Sequence, residues 1–249
     1  MKVSIITVCF NSAKTIEDTI LSVLSQKTVH ELQYIVVDGN STDNTVNLVK
    51  KYDGKLKLIV EKDDGMYDAI NKGIKIANGE IIGILNSDDV FKSSDTLDQI
   101  LAEFVNQDIS AVIGNCEIYN SFTEGRYKTY RANLFRQWMF RFGFQPPHPS
   151  TFFKKQVYDD IGLFDISFVS AGDFEFLLRA IKINKINYKV LDIAIVKMRS
   201  GGLSSSGARS YIRTSKEILK ALRKHKIYSN IFLVMIRLPI KFFGRYLLK

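Results

Sequence analysis

A chain of 249 residues with 46% apolar and 24% charged side chains has ordinary globular composition. It can bury about 70% of its unfolded surface, so its core needs no disulfide or structural metal. The formal charge of +9 is unevenly placed: the first 217 residues carry 27 basic and 26 acidic side chains, whereas no acid follows Glu217 and eight bases do, from Lys220 to Lys249. A nucleic-acid-binding body would spread its cations over one face, so this pattern argues against nucleic acid and for a near-neutral domain with a basic tail.

Cys9 and Cys116 sit in apolar, strand-like contexts and match no metal or redox spacing, which reads as buried free thiols. No secretory signal precedes the first apolar run, and no uncharged stretch of about 18 apolar residues is present, so the expectation is a chain without a simple membrane span.

In chain order, Val3 to Val8 reads as a strand and Ala13 to Leu24 as a helix with Ile16, Ile20, Val23 and Leu24 on one side. Tyr34 to Val37 is a second strand ending at Asp38, and Thr42 opens a second helix. Leu56 to Val60 is a third strand and Met66 to Ala77 a third helix. Ile81 to Leu85 is a fourth strand, Leu97 to Phe104 a fourth helix and Ala111 to Ile113 a fifth strand. Continuous Val/Ile/Leu strands with helices between them predict a mostly parallel sheet covered on both faces. The second half is less regular: a Pro-rich segment around His148, a strand at 151–153, a helix from Gly172 to Ile183, and a Gly/Ser-rich loop at 201–207.

Ligands of open α/β sheets bind beyond the carboxyl ends of the strands. Those ends carry Cys9-Phe10-Asn11-Ser12, Asp38, Glu61 to Gly65, and Asp88-Asp89, an acidic rim. Such a rim repels bare phosphate. It makes sense where some carboxylates accept sugar or base donors and others hold Mg²⁺ or Mn²⁺ against substrate phosphates. The plainer reading of Asp88-Asp89 is a turn or helix cap. A dinucleotide fold needs a glycine-rich turn after the first strand, and the turn here has none; P-loop and nucleophile-elbow motifs are absent too.

Three stretches, VSIITVCFNSAKTIEDTILSVLSQ, YIVVDGNSTDNT and EKDDGMYDAINKGIKIANGEIIGILNSDD, closely resemble the family 2 glycosyltransferases of the GT-A fold, over about residues 1 to 200. Within that family the chain is similar to bacterial enzymes of exopolysaccharide, capsule or O-antigen assembly. The resemblance implies a Rossmann-like, mostly parallel sheet and a nucleotide-sugar donor, with UDP the expected nucleotide. It places Thr7, Phe10 and Asn11 in the nucleotide loop, Asp38 at the base, Asp63 in the loop over the nucleoside, Asp88 at the ribose and Asp89 on the metal. It places Asp173 as the base that deprotonates the acceptor; capping the following helix is the alternative. Here the family's Asp-x-Asp element reads Ser87-Asp88-Asp89, without the leading Asp.

An inverting transfer fits those residue types. One carboxylate takes the acceptor's proton, and a metal ion stabilises the leaving diphosphate. Glu175 is a second candidate base, or it orients Asp173 or faces the acceptor. His148 lies near the donor phosphate, the metal or the acceptor, or is a plain loop residue. Trp138, with Phe140, Phe142 and Phe144, offers a stacking platform or belongs to a core or membrane face, and Arg199 is a candidate for closing over the pyrophosphate. Two other classes compete: a sugar-nucleotide pyrophosphorylase, which needs a Gly-rich, Arg-containing first loop, and a non-catalytic partner subunit.

The expected organisation is a catalytic domain over 1–205 and a helical, basic segment over 206–249. Arg237, Lys241, Arg245 and Lys249 recur every four residues in an otherwise apolar tail. As an amphipathic helix, residues 227–249 would lie in a membrane interface among anionic headgroups; packing back on the domain or forming an oligomer contact is the alternative. A membrane dock suits a glycan or polyprenyl-linked acceptor and places the protein in the cytoplasm, peripheral on the inner face of the membrane.

Overall fold

The computed structural model describes residues 1–119, 126–200 and 207–237. The first half alternates strand and helix: β1 (Lys2–Cys9), α1 (Ile16–Leu24), β2 (Glu31–Asp38), α2 (Thr45–Lys50), β3 (Lys57–Val60), α3 (Met66–Ile76) and β4 (Ile81–Ile84). It continues with β5 (Val90–Phe91), α4 (Thr96–Glu103), β6 (Ala111–Tyr119), β7 (Arg126–Tyr130), β8 (Thr151–Lys154), α5 (Lys155–Ile161), α6 (Gly172–Leu177), β9 (Tyr188–Arg199), α7 (Gly207–Lys224) and α8 (Ile231–Met235). One π-helical turn, Leu178–Ile183, extends α6.

The sheet runs β3-β2-β1-β4-β8-β6-β9-β5, with β7 paired to β6. Strands β3, β2, β1 and β4 are parallel, as their apolar runs predict. The insertion of β8 antiparallel between β4 and β6 was not legible in the sequence, and neither was the short β5. Side chains alternate across the sheet. Ile6, Val8, Ile35, Val37, Ile82 and Ile84 meet α3, α6 and α7, while Ile5, Cys9, Tyr34, Val36 and Ile81 meet α1 and α4 on the other face.

Two helices begin three residues later than their periodicity suggests, and the cause is the rim. Asn11 Oδ1 accepts from the Thr42 and Asp43 backbone N–H groups, and Asp43 Oδ2 accepts from the Ala13 N–H. These bonds hold 11–15 and 41–44 as interlocked loops, so α1 waits until Ile16 and α2 until Thr45.

The boundary expected near residue 205 falls within 201–206, outside the described residues, as does most of the expected Gly/Ser-rich loop. Beyond it, α7 and α8 bury Ile218, Ala221, Leu222 and Val234 in the same core as Phe140 and Phe174. Arg237 leaves the proposed cationic stripe: it is buried, with Nη2 donating to Ser215 Oγ at 2.9 Å and its guanidinium stacked over Tyr211. The start of the tail therefore packs on the domain; Lys241, Arg245 and Lys249 lie outside the described residues.

Candidate active site

Parallel pairing brings the strand ends level. Cys9 of β1 stands opposite Asp38 of β2, and Asp38 opposite Val60 of β3. The loops that follow form one rim, tied across by Ser12 Oγ and Ser87 Oγ at 2.9 Å.

Two residues expected at the nucleotide lie beneath this rim. Thr7 is fully buried and accepts from the Tyr34 hydroxyl at 3.2 Å. Asp38 is fully buried as well: Oδ1 accepts from the Ser41 N–H at 2.7 Å, and Oδ2 from the Ser41 hydroxyl at 2.6 Å and the Cys9 thiol at 3.4 Å. These three bonds engage most of its acceptor sites inside the protein, and Asp38 holds the loop at Ser41. Burial, with Asp38 next, pushes the Cys9 thiol well above its ordinary range, so it stays protonated and donating. The groups that do reach the cleft are Phe10, 60% exposed, Asn11 in a left-handed conformation (φ 51°), and Asp63. Asp63 Oδ1 accepts from the Gly65 N–H at 2.9 Å. Its Oδ2 lies so close over Gly39 that any Cβ there would overlap it, with the Phe10 ring 3.5 Å from the same point. Gly39 is thus a bare backbone floor between an aromatic ring and a carboxylate.

The loop after β4 carries Asp88 and Asp89. Neither caps the next helix, whose N-cap is Asp95. Asp89 is 1% exposed; Oδ2 accepts from Asn86 Nδ2 at 3.1 Å, and Oδ1 is buried with no hydrogen-bond partner. Burial, then the negative charge of Asp88, pushes the Asp89 carboxyl up to about 8. Asp88 is half-buried and is also raised, by burial. The opposing charge at both is Arg199, whose guanidinium pairs with Asp18. Among the described residues no group of three or more His, Cys, Asp or Glu side chains forms a complete metal cage. A buried, unpartnered carboxylate oxygen next to a second carboxylate is of the chemistry that a hard cation with further ligands from substrate phosphate would accept.

Asp173 sits in the first turn of α6, against the start of α3. It is not the cap, which is Ala171. Oδ1 accepts from the Tyr67 hydroxyl at 3.2 Å and Oδ2 from Gln145 Nε2 at 2.6 Å. Gly172 makes this approach feasible, since a Cβ there would lie 2.7 Å from the Tyr67 ring. Burial, then the Asp173 charge, holds the Tyr67 phenol well above its usual range, so it remains a donor. His148, immediately after the Pro pair, is buried edge-on against Phe164. Burial lowers its pKa and Asp173 pulls the other way, with burial winning. The imidazole is therefore neutral at physiological pH.

Glu175 does not reach the cleft. It is fully buried on the far side of α6, accepting from Arg179 Nη2 at 3.0 Å, Lys224 Nζ at 2.9 Å and His225 Nε2 at 2.8 Å. Glu217 of α7 adds a second tie, accepting from the backbone N–H groups of Val169, Ser170 and Ala171 just before α6. Trp138 is 63% exposed on a 3₁₀ segment, Gln137–Phe142, edge-on to Phe142. The sequence reasoning missed Tyr67 and Gln145. Gln145 opens the Pro-Pro-His segment that was singled out, and that adjacency was the available signal.

Comparison with known proteins identifies the family and the fold. The model of "Glycosyl transferase family 2" matches residues 4–178. An uncharacterized glycosyltransferase of Mycobacterium tuberculosis is 31% identical over 186 residues, covering 72% of this chain and 68% of the relative. A PGL/p-HBAD biosynthesis glycosyltransferase of Mycobacterium bovis is 24% identical over 209 residues, covering 81% of this chain and 77% of the relative. Among solved structures, S. aureus TarS 1-349 in complex with UDP-GlcNAc superposes with a TM-score of 0.68 at 24% identity, over 89% of this chain and 66% of that one. The mannosyltransferase PcManGT of Pyrobaculum calidifontis, with GDP-Man and Mn²⁺, gives 0.64 at 21%, over 90% of this chain and 63% of that one. This chain spans only 40% of the longer TarS chain. The structural likenesses establish the GT-A fold.

Proposed function

The chain belongs to glycosyl transferase family 2, and from that premise we propose that it moves a sugar from a UDP-sugar to a hydroxyl of a glycan or lipid-linked acceptor, with inversion, in surface-polysaccharide synthesis. The observation that carries the reading is the pair of unlike carboxylates on the cleft: Asp173, held by two donors, and Asp89, buried and unpartnered. Asp173 takes the proton from the acceptor hydroxyl as its oxygen bonds to the anomeric carbon. The bond from that carbon to the donor diphosphate breaks, and the nucleoside diphosphate leaves with the electron pair. The nucleoside lies on Phe10, Gly39 and Asp63, with Asn11 shaping the loop. A divalent cation, Mn²⁺ or Mg²⁺, held by Asp89 with Asp88 beside it would neutralise charge developing on the diphosphate. Arg199 is the positive side chain next to that pair and would meet the same phosphates. Neutral His148 serves as a fixed wall of the cleft.

No helix among the described residues is long and apolar enough to cross a membrane. We place the protein in the cytoplasm on the inner membrane face, as its proposed acceptor would require. The family assignment removes the pyrophosphorylase alternative. A non-catalytic subunit would have no need of Asp89 and Asp173 in these settings.

The test is donor turnover with Mn²⁺ and an acceptor, preceded by a thermal-shift screen of nucleotide-sugars, where binding to the folded state raises the melting point. Asp173→Asn should lower kcat about 10³-fold, in the range a general base supplies. Its melting temperature and its stabilisation by donor should persist. Full activity in that variant overturns the assignment.

A further inference from the structure

The two longest acid-free stretches of the sequence are residues 125–158, with seven basic side chains, and residues 218–249, with eight. They are far apart in the chain, and the fold brings them together. Arg141 Nε donates to the Tyr228 carbonyl at 3.0 Å, the Ser229 hydroxyl donates to the Arg141 carbonyl at 2.7 Å, and the Arg141 guanidinium lies over the Tyr228 ring. The 137–142 segment and α8 thus form one face, and its apolar groups point to solvent: Trp138 is 63% exposed, Tyr228 68%, Phe232 81% and Ile236 41%. In a 3₁₀ turn, residues three apart align, so Trp138 and Arg141 share a side. Arg136 is exposed at the start of the same turn.

Isolated exposed hydrophobics are ordinary; a contiguous apolar patch ringed by charge of one sign marks an interaction surface. Trp and Tyr with one apolar and one polar end favour a membrane–water boundary. Arginines without a neighbouring acid favour anionic headgroups. In the sequence, residues 238–249 add three more cations and no acid.

We propose that the face built from residues 136–142 and 228–237 docks on an anionic lipid surface, so that the bilayer is a direct partner of the folded catalytic domain and not only of the tail. The inference deepens the reading of a lipid-linked acceptor and rests on Asp173 as its base. Gln145, three residues beyond Phe142, bonds Asp173. The docked face therefore borders the base, and the acceptor hydroxyl enters the cleft from the bilayer side.

Trp138 is the only tryptophan, which makes it a built-in reporter. With the full chain, vesicles of equal phosphatidylglycerol and phosphatidylcholine should shift its emission to the blue and shield it from acrylamide, and phosphatidylcholine alone should do neither. The double variant Phe232→Ser, Arg136→Gln should bind the anionic vesicles about tenfold or more weakly, with an unchanged melting temperature and unchanged transfer to a water-soluble acceptor. Sedimentation with vesicles without a Trp138 response would assign docking to the tail alone and overturn the proposal. No binding, equal binding to neutral vesicles, or a Trp138 already shielded in the free chain would overturn it too. Asp173→Asn should dock normally, which separates failure of this inference from failure of the proposed chemistry.

Discussion

Asp89, on the loop after β4, and Glu175, in the seam between α6 and α7, are equally hidden from water and are treated oppositely by their surroundings. Asp89 has one oxygen bonded to Asn86, one bonded to nothing, and a like charge beside it, and its carboxyl is pushed up to about 8. For Glu175 burial works in the same direction, but Lys224, Arg179 and His225 outweigh it and hold the carboxyl below its ordinary range. Buried polar groups in folded proteins are almost always satisfied. A chain that saturates one buried carboxylate with three donors and leaves another open marks the second as a group whose partner arrives with the ligand. Glu175 is the complementary case: its partners are built in, and they fix the helix that carries Asp173.

Beyond the loss in Asp173→Asn, the largest effect should come from Glu175→Gln. Removing the negative charge leaves Arg179 and His225 facing each other in a buried seam. The cost should be about 3 kcal/mol of stability, toward the low end for a broken buried pair because Lys224 still reaches water. Chemical denaturation checks the size. If the comparison is right, kcat of the protein that remains folded changes little, whereas a collapse of kcat in a stable variant would return Glu175 to the reaction.

Asp89→Asn should behave the other way. Metal-free stability should hold or rise, because burial forces the Asp89 carboxyl to stay largely protonated at neutral pH, a cost to folding that a neutral amide does not carry. Mn²⁺ at a hundredfold excess over Kd should stabilise the parent by about 2.7 kcal/mol and the variant not at all. A thermal-shift titration reads both. A variant that still responds to Mn²⁺ would put the cation elsewhere.

The pH response sharpens the contrast by a smaller amount. Glu175 is depressed in the folded state, and so is Asp165, where bonds from Lys224 and Ser167 outweigh burial. A depressed carboxylate stabilises the fold above its unfolded pKa, and that contribution is lost as pH falls through the folded value. The melting temperature should therefore fall on acidification below about pH 4.5, the upper end of the ordinary carboxylate range. In Glu175→Gln the fall should be shallower.

The rim was legible in the sequence because it is local. Each of β1 to β4 is an apolar run followed by the loop residues that occupy the rim, so the places of Phe10, Asn11, Asp63, Asp88 and Asp89 followed from strand ends, and their proposed roles from the family resemblance. Burial was not legible. Thr7 and Asp38 stand at the right positions, but Tyr34 and Ser41 claim their oxygens, and only the packed fold shows that. The base side was legible at one residue, Asp173. Its supports come from α3, from the 145–150 segment and from α7, at separations of 106, 28 and 46–50 residues, and no periodicity announces such contacts. As a base or acceptor contact Glu175 was misplaced for the same reason: it is two residues from Asp173, and helical residues two apart face different sides; its anchoring of α6 fits the reading that it orients Asp173.

Gln145→Leu gives the subtlest test, because it asks whether support of Asp173 is as functional as Asp173 itself. The Gln145 amide donates to Oδ2 at 2.6 Å, while its own Oε1 is buried without a partner. That arrangement makes no sense as a stability device, since an unsatisfied acceptor is costly. It makes sense if the amide is there to aim the carboxylate. Leu removes the aim and the unsatisfied oxygen together, so stability should be nearly unchanged. Loss of one hydrogen bond to a charged group, about 1.5 kcal/mol, should lower kcat about tenfold with the donor KM unaltered. Gln145→Asn, one methylene shorter, should not restore the rate, whereas Gln145→His with a donating ring nitrogen should restore part of it. If Leu instead lowers stability and leaves kcat intact, Gln145 is a packing residue and Tyr67 alone positions the base.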